Sequence, residues 1–233
     1  MRDRIIVALD QPDLAGALAC AEALRGHAHW VKVGMTLFYV EGPQAVRAMR
    51  DLGFEVFVDL KLHDIPHQVE GAARSLALLG AGMLTIHASG GAAMIEAAVR
   101  GARAGAAESG LPVPSILAVT VLTSMDDETL ASVGVCDPMA EQVAGLAALA
   151  KTAGADGVVC SPREAGELRA LLGPEALIVT PGVRPAGSGA GDQARVATPA
   201  QAFAAGASHL VIGRPITGEA DPAAAFEAII ETL

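Results

Sequence analysis

Short apolar runs alternate with longer alanine- and leucine-rich stretches of helical period along the whole chain. That alternation is the signature of repeated βα units feeding a parallel sheet. Eight runs read as strands: 4–10, 29–34, 54–61, 83–87, 115–120, 157–160, 177–181 and 209–213. Helix punctuation falls between them. Pro43 opens a helix over 44–52 that stops at Gly53, and Asp137-Pro138 reads as cap and first position of a helix reaching Ala153 before Gly154. Thr198-Pro199 repeats the device, and Asp221-Pro222 starts a closing helix over 223–233 with one apolar stripe. The pattern predicts an α/β chain folded as a (β/α)8 TIM barrel, with its active site at the C-terminal ends of the strands. An open doubly wound sheet competes, but no Gly-x-Gly-x-x-Gly follows the first strand.

With 233 residues, 52% of them hydrophobic, the chain can bury a full core, and nothing in it reads as a linker, so one domain over 1–233 is expected. The apolar runs near the N-terminus are too short for a signal segment or a bilayer span, which predicts a soluble cytoplasmic protein. Cys20, Cys136 and Cys160 are an odd set without C-x-x-C spacing, so reduced packing residues are expected rather than a disulfide framework or a zinc site. A formal charge of −10 with 3% aromatic residues offers neither a basic face nor stacking platforms for nucleic acid. An anionic small molecule would have to be held by a few locally placed cations.

The polar residues at the strand ends carry the candidate chemistry. The apolar run Val56-Phe57-Val58 passes into Asp59-Leu60-Lys61-Leu62-His63-Asp64-Ile65-Pro66, where strand alternation puts Asp59 and Lys61 on one face and Leu60 and Leu62 on the other. Charges at the end of a buried strand must be paired, and Asp64, in the loop before Pro66, is placed to flank the same lysine. A weak surface ion pair is the bland alternative. Asp10, Lys32, His87, Thr123 and Ser124 join this rim. After the seventh strand, Thr180-Pro181-Gly182-Val183-Arg184 opens a Gly/Ala/Ser-rich loop from Pro185 to Asp192, read as a mobile lid. The eighth strand delivers Gly213-Arg214-Pro215, so glycine amides and two arginines converge where such barrels bind phosphate. His63 and His67 stand four apart, but Pro66 interrupts the helix and no third metal ligand is evident. His87 reads as a hydrogen-bonded structural imidazole.

The ordered set Lys32-Val33-Gly34, Asp59-Leu60-Lys61-Leu62-His63-Asp64-Ile65-Pro66, Leu122-Thr123-Ser124, Thr180-Pro181-Gly182-Val183-Arg184 and Val211-Ile212-Gly213-Arg214 resembles the orotidine 5′-phosphate decarboxylase family over the whole chain. The resemblance implies a cofactor-free, metal-free decarboxylation of orotidine 5′-monophosphate to uridine 5′-monophosphate in pyrimidine synthesis, by a homodimer with sites at the interface. It implies that Lys61 protonates C6, that Asp59 sits against the departing carboxylate, and that Asp64 comes from the partner subunit to complete an array with Lys32, Asp59 and Lys61. Arg184, Arg214, Gly213 and Gln193 would hold the phosphate, Asp10 and Lys32 the ribose, and Thr123 and Ser124 the pyrimidine edge. Ile65 and Gln68 would also contact substrate. Gln68 stands where bacterial members usually offer a threonine, and its amide can both donate and accept to the same ribose hydroxyl.

Decarboxylation without an electron sink leaves charge on carbon, so preorganised electrostatics must stabilise it. Lys61 supplies the nearest positive charge, and flanking aspartates hold it protonated. The runner-up is a magnesium-dependent phosphosugar decarboxylase or aldolase, which shares the Asp-x-Lys-x-x-Asp motif but places a glutamate ligand where this chain has Lys32, an ammonium hostile to a cation. A non-catalytic phospholigand-binding barrel would have no use for a buried charge array.

Overall fold

A computed structural model describes residues 1–184 and 197–233. Eight strands, β1 (Ile5–Leu9), β2 (Trp30–Gly34), β3 (Glu55–Leu62), β4 (Met83–His87), β5 (Ser115–Val119), β6 (Gly157–Val159), β7 (Leu177–Thr180) and β8 (His209–Ile212), pair in sequence order. All pairs are parallel, and β8 returns to β1 through Ile5↔Leu210, Ile6↔Val211 and Val7↔Ile212. The expected (β/α)8 barrel is therefore closed, and each predicted strand is present within a residue or so of its ends.

Successive strand residues serve two different cores, which is why the strands read as continuous apolar runs rather than alternating ones. In β1, Ile6 and Ala8 point into the barrel with Phe57, Met83, Leu117, Val119, Val159, Val179 and Val211. Ile5, Val7 and Leu9 belong to the second cluster, shared with the surrounding helices. Those helices are α1 (Leu14–Leu24), α2 (Met35–Glu41), α3 (Pro43–Asp51), α4 (Pro66–Leu78), α5 (Ala92–Ser109), α6 (Asp127–Ser132), α7 (Met139–Thr152), α8 (Ala165–Leu172), α9 (Pro199–Ala204), α10 (Arg214–Thr217) and α11 (Pro222–Glu231). No helix among the described residues is long and apolar enough to cross a membrane. The α4–α5 pair is close because α5 carries Gly101 and Gly105, where a Cβ would fall 2.1 Å from the Glu70 carbonyl oxygen and 2.3 Å from that of Arg74.

Two capping expectations hold: Thr198 and Gln201 form a reciprocal capping box on α9, and the Asp221 carboxylate accepts the Ala224 N–H of α11. A third is corrected. Pro138, not Asp137, occupies the cap of α7 and has no side chain to offer, so the Met139 N–H is satisfied from α6 by Asp127 at 3.0 Å. Cys20 and Cys160 are buried as expected of packing residues, whereas Cys136 is exposed. The loop from Pro185 to Asp192 and Gln193 lie outside the described residues.

Candidate active site

The C-terminal end of β3 departs from the regular strand that alternation predicts. Against β2 it keeps register as far as Gly34↔Asp59. Against β4 the pairs jump from Val58↔Leu84 to Leu62↔Ile86, so Asp59, Leu60 and Lys61 face one residue, Thr85. This is a bulge of two extra residues, a device that re-aims side chains at barrel rims. Lys61 absorbs it with φ +52°, the one positive φ outside glycine among the described residues. A left-handed lysine costs on the order of 1–2 kcal/mol, so surrounding contacts must hold it there. The expected pairing survives by this different route, with Lys61 Nζ donating to Asp59 Oδ1 at 2.8 Å.

The pair belongs to a ladder of alternating charge across three strands. Lys32 Nζ from β2 lies 3.1 Å from Asp10 Oδ1 and 3.6 Å from Asp59 Oδ2, giving the order Asp10, Lys32, Asp59, Lys61. The two inner members are the best shielded, with side chains 9% exposed at Lys32 and 13% at Asp59, so their attraction is little screened by water. Burial alone would push the Asp59 carboxyl up. The charges of Lys32 and Lys61 and hydrogen bonds from Lys61 and Thr85 outweigh it and hold the group below its ordinary value. Gly34 makes room for the ladder: a Cβ there would sit 2.8 Å from Lys32 Nζ and 3.2 Å from Asp10 Oδ1.

Above the ladder opens a cavity of about 570 Å³. Asp10, Lys32, Asp59, Lys61, Thr123, Ser124, Arg184, Gly213 and Arg214, all expected at the site, line it, and Ala8, Phe57, Val159 and Val211 from the barrel interior form its apolar floor. Four of the chain's 16 lysines and arginines meet here with two carboxylates, so the cavity is locally positive in a chain of net charge −10. That balance suits a small ligand carrying more than one negative charge.

Other expected residues lie elsewhere. Asp64 does not join the ladder within the chain; its carboxylate is exposed and accepts the Ile65 N–H at 2.6 Å. Ile65 caps α4, and Gln68 lies in its first turn. Asp64 and Gln68 line a second recess with Met35, Tyr39 and His63, and Lys61 borders both recesses. His87 does not line the main cavity; its half-buried ring packs on His63 with centroids 5.3 Å apart. Burial, then the nearby His63 and Lys61, depresses its pKa against the opposing pull of Asp59, which fits a neutral structural imidazole. Thr85 and Gly34's packing role were missed. The available signal for Thr85 was a lone hydroxyl in the otherwise apolar stretch Met83-Leu84-Thr85-Ile86.

A closed parallel barrel with a charge ladder and an anion-matched cavity at its C-terminal rim defines a (β/α)8-barrel enzyme. Comparison with known proteins narrows the class. The family model described as orotidine 5′-phosphate decarboxylase / HUMPS family matches residues 3–229. The chain is 55% identical to the orotidine 5′-phosphate decarboxylase of Moorella thermoacetica over 98% of this chain and 91% of the relative. It is also 55% identical to that of Anaeromyxobacter sp. (strain K), over 99% and 98%. The crystal structure of orotidine 5′-phosphate decarboxylase from Lactobacillus acidophilus superposes with a TM-score of 0.88 at 44% identity, covering 98% of each chain. The chain belongs to the orotidine 5′-phosphate decarboxylase / HUMPS family.

Proposed function

We infer that this chain is a carboxy-lyase converting orotidine 5′-monophosphate to uridine 5′-monophosphate and carbon dioxide, with residues 1–233 as one catalytic domain. The observation that carries the reading is the ladder of Asp10, Lys32, Asp59 and Lys61 under an anion-matched cavity. In the reaction the C6–carboxylate bond breaks, its electron pair stays on C6, and an N–H of Lys61 delivers a proton there. The resulting amine regains a proton from water. Lys61 is ready for this because Asp59 holds its ammonium at 2.8 Å, while Lys32 on the far side keeps Asp59 anionic. Asp59, facing the substrate carboxylate, is relieved of a like charge as carbon dioxide leaves, a smaller contribution than stabilising the carbanion.

Arg184, Arg214 and the Gly213 amide take the phosphate, with Gln193 assigned to the same group. Asp10 and Lys32 take the ribose, and Thr123 and Ser124 the pyrimidine edge. Phosphate binding far from C6 offsets the repulsion at the reacting end. Lys32 also weighs against the magnesium-dependent alternative, since an ammonium between Asp10 and Asp59 occupies the place a cation would need.

The proposed assembly is a homodimer in which Asp64, Ile65 and Gln68 serve the partner's cavity. Three features support it: Asp64 leaves the ladder of its own chain, Lys61 borders the recess that holds Asp64, and that edge exposes Tyr39 at 73% and Ile65 at 63%. A cytoplasmic location accompanies the activity. The test is formation of uridine 5′-monophosphate from orotidine 5′-monophosphate by purified protein, with and without excess EDTA. Turnover indifferent to EDTA is expected; activity only on phosphosugars with magnesium would move the chain to the other branch of its family. Mixing inactive Lys61→Ala and Asp64→Ala proteins is expected to restore part of the activity through one intact shared site. Verified subunit exchange without recovery would remove the shared site.

A further inference from the structure

Thr85 stands alone opposite the three bulged residues of β3, and its hydroxyl touches two of them. Its Oγ1 accepts the Lys61 backbone N–H at 2.9 Å and donates to Asp59 Oδ1 at 2.9 Å. The residue is 1% exposed. A backbone N–H only donates, so the hydroxyl must act as acceptor toward Lys61, and its one hydrogen is left to point at Asp59. The same oxygen of Asp59 receives Lys61 Nζ. One buried hydroxyl thus fixes the left-handed backbone of the lysine and orients the carboxylate that holds its ammonium.

We propose that Thr85 is a positioning residue for the decarboxylation, pinning the strained Lys61 backbone and orienting the Asp59 carboxylate toward the Lys61 ammonium through one hydrogen-bonded bridge. The proposal rests on the reading of Lys61 as the acid and Asp59 as its counter-ion. Without the hydroxyl, the Lys61 N–H is left without its partner inside the rim, and the energy that offsets φ +52° is lost. Asp59 loses a donor that a protonated Oδ1 could not accept in the same way, so proton uptake there becomes easier. The groups facing Asp59 are Lys32 from β2, Lys61 from its own strand, and Thr85 and His87 from β4. Of these, the Thr85 variants change Thr85 alone.

Steady-state decarboxylation is measured for Thr85→Val, which keeps the shape, and Thr85→Ser, which keeps the hydroxyl, beside Lys61→Ala. Binding of uridine 5′-monophosphate to each is followed by calorimetry. Thr85→Val is expected to lower kcat about ten- to hundredfold, with KM and product affinity within about threefold of wild type. The acid limb of its kcat–pH profile is expected at higher pH, and Thr85→Ser is expected to recover most of both. Thr85→Val with normal kcat, equal damage in Thr85→Ser, or product affinity falling in step with kcat would each overturn the positioning role. Retained turnover in Lys61→Ala would instead overturn the underlying mechanism, so the two failures are distinguishable.

Discussion

Replacing Asp59 by asparagine removes one charge from the middle of the ladder and almost no volume. In the wild type the carboxylate lies between two ammonium groups, 2.8 Å from Lys61 Nζ and 3.6 Å from Lys32 Nζ, with 13% of its side chain exposed. The Asp59→Asn variant would leave those cations facing a neutral amide, with only Asp10, 59% exposed, still paired to Lys32. Breaking a buried ion pair from one side costs about 3–5 kcal/mol, because the orphaned charge keeps its desolvation penalty. For a chain of this size that corresponds to a fall in Tm of roughly 6–20 °C. The pH dependence follows from the depressed pKa of Asp59. Its contribution is complete above the ordinary carboxylate value of 3.8 and is lost only as the pH falls through the lower value in the fold. Urea unfolding of both proteins should therefore give a constant gap between about pH 7 and pH 5 that narrows only in strong acid. Decarboxylation in D59N should fall by at least about a hundredfold, since Lys61 loses its orienting partner. A Tm within about 2 °C of wild type at neutral pH would mean that solvent screens the ladder, and the electrostatic argument would be refuted.

Two further variants probe the phosphate end of the cavity and the spacing of the ladder. Arg214→Ala should mainly raise KM, by the tenfold or more that follows from losing a charge-assisted phosphate contact of about 1.5–3 kcal/mol, while an unchanged KM would contradict the phosphate assignment. Gly34→Ala puts a methyl 2.8 Å from Lys32 Nζ, the far end of a flexible side chain that can shift by a few tenths of an ångström within the ladder. Stability should thus change by under about 1 kcal/mol while kcat falls, and full activity in G34A would show that the spacing of the ladder is tolerant.

The apolar periodicity determined the eight strands, their order and the (β/α)8 class, because a strand buried on both faces by a closed barrel must be apolar throughout, and that constraint is local. The same logic placed Asp10, Lys32, Asp59, Lys61, Thr123, Ser124, Arg184, Gly213 and Arg214 at the rim, where they line the cavity: a polar group near the C-terminal end of a buried strand has one place to go. Short elements such as α2, α6 and α10 escaped, since seven residues or fewer carry too little periodicity to register.

What only the tertiary structure decided depends on neighbouring strands. The bulge is a mismatch in length between β3 and β4, invisible in either alone, and it gives Lys61 its left-handed backbone and Thr85 its two contacts. The exit of Asp64 and Gln68 toward a second recess, and the packing of His87 on His63 rather than into the cavity, likewise depend on the direction in which β3 and β4 leave the rim. Sequence spacing fixes which residues arrive at the end of a strand, and packing against the adjacent strand fixes where each side chain points.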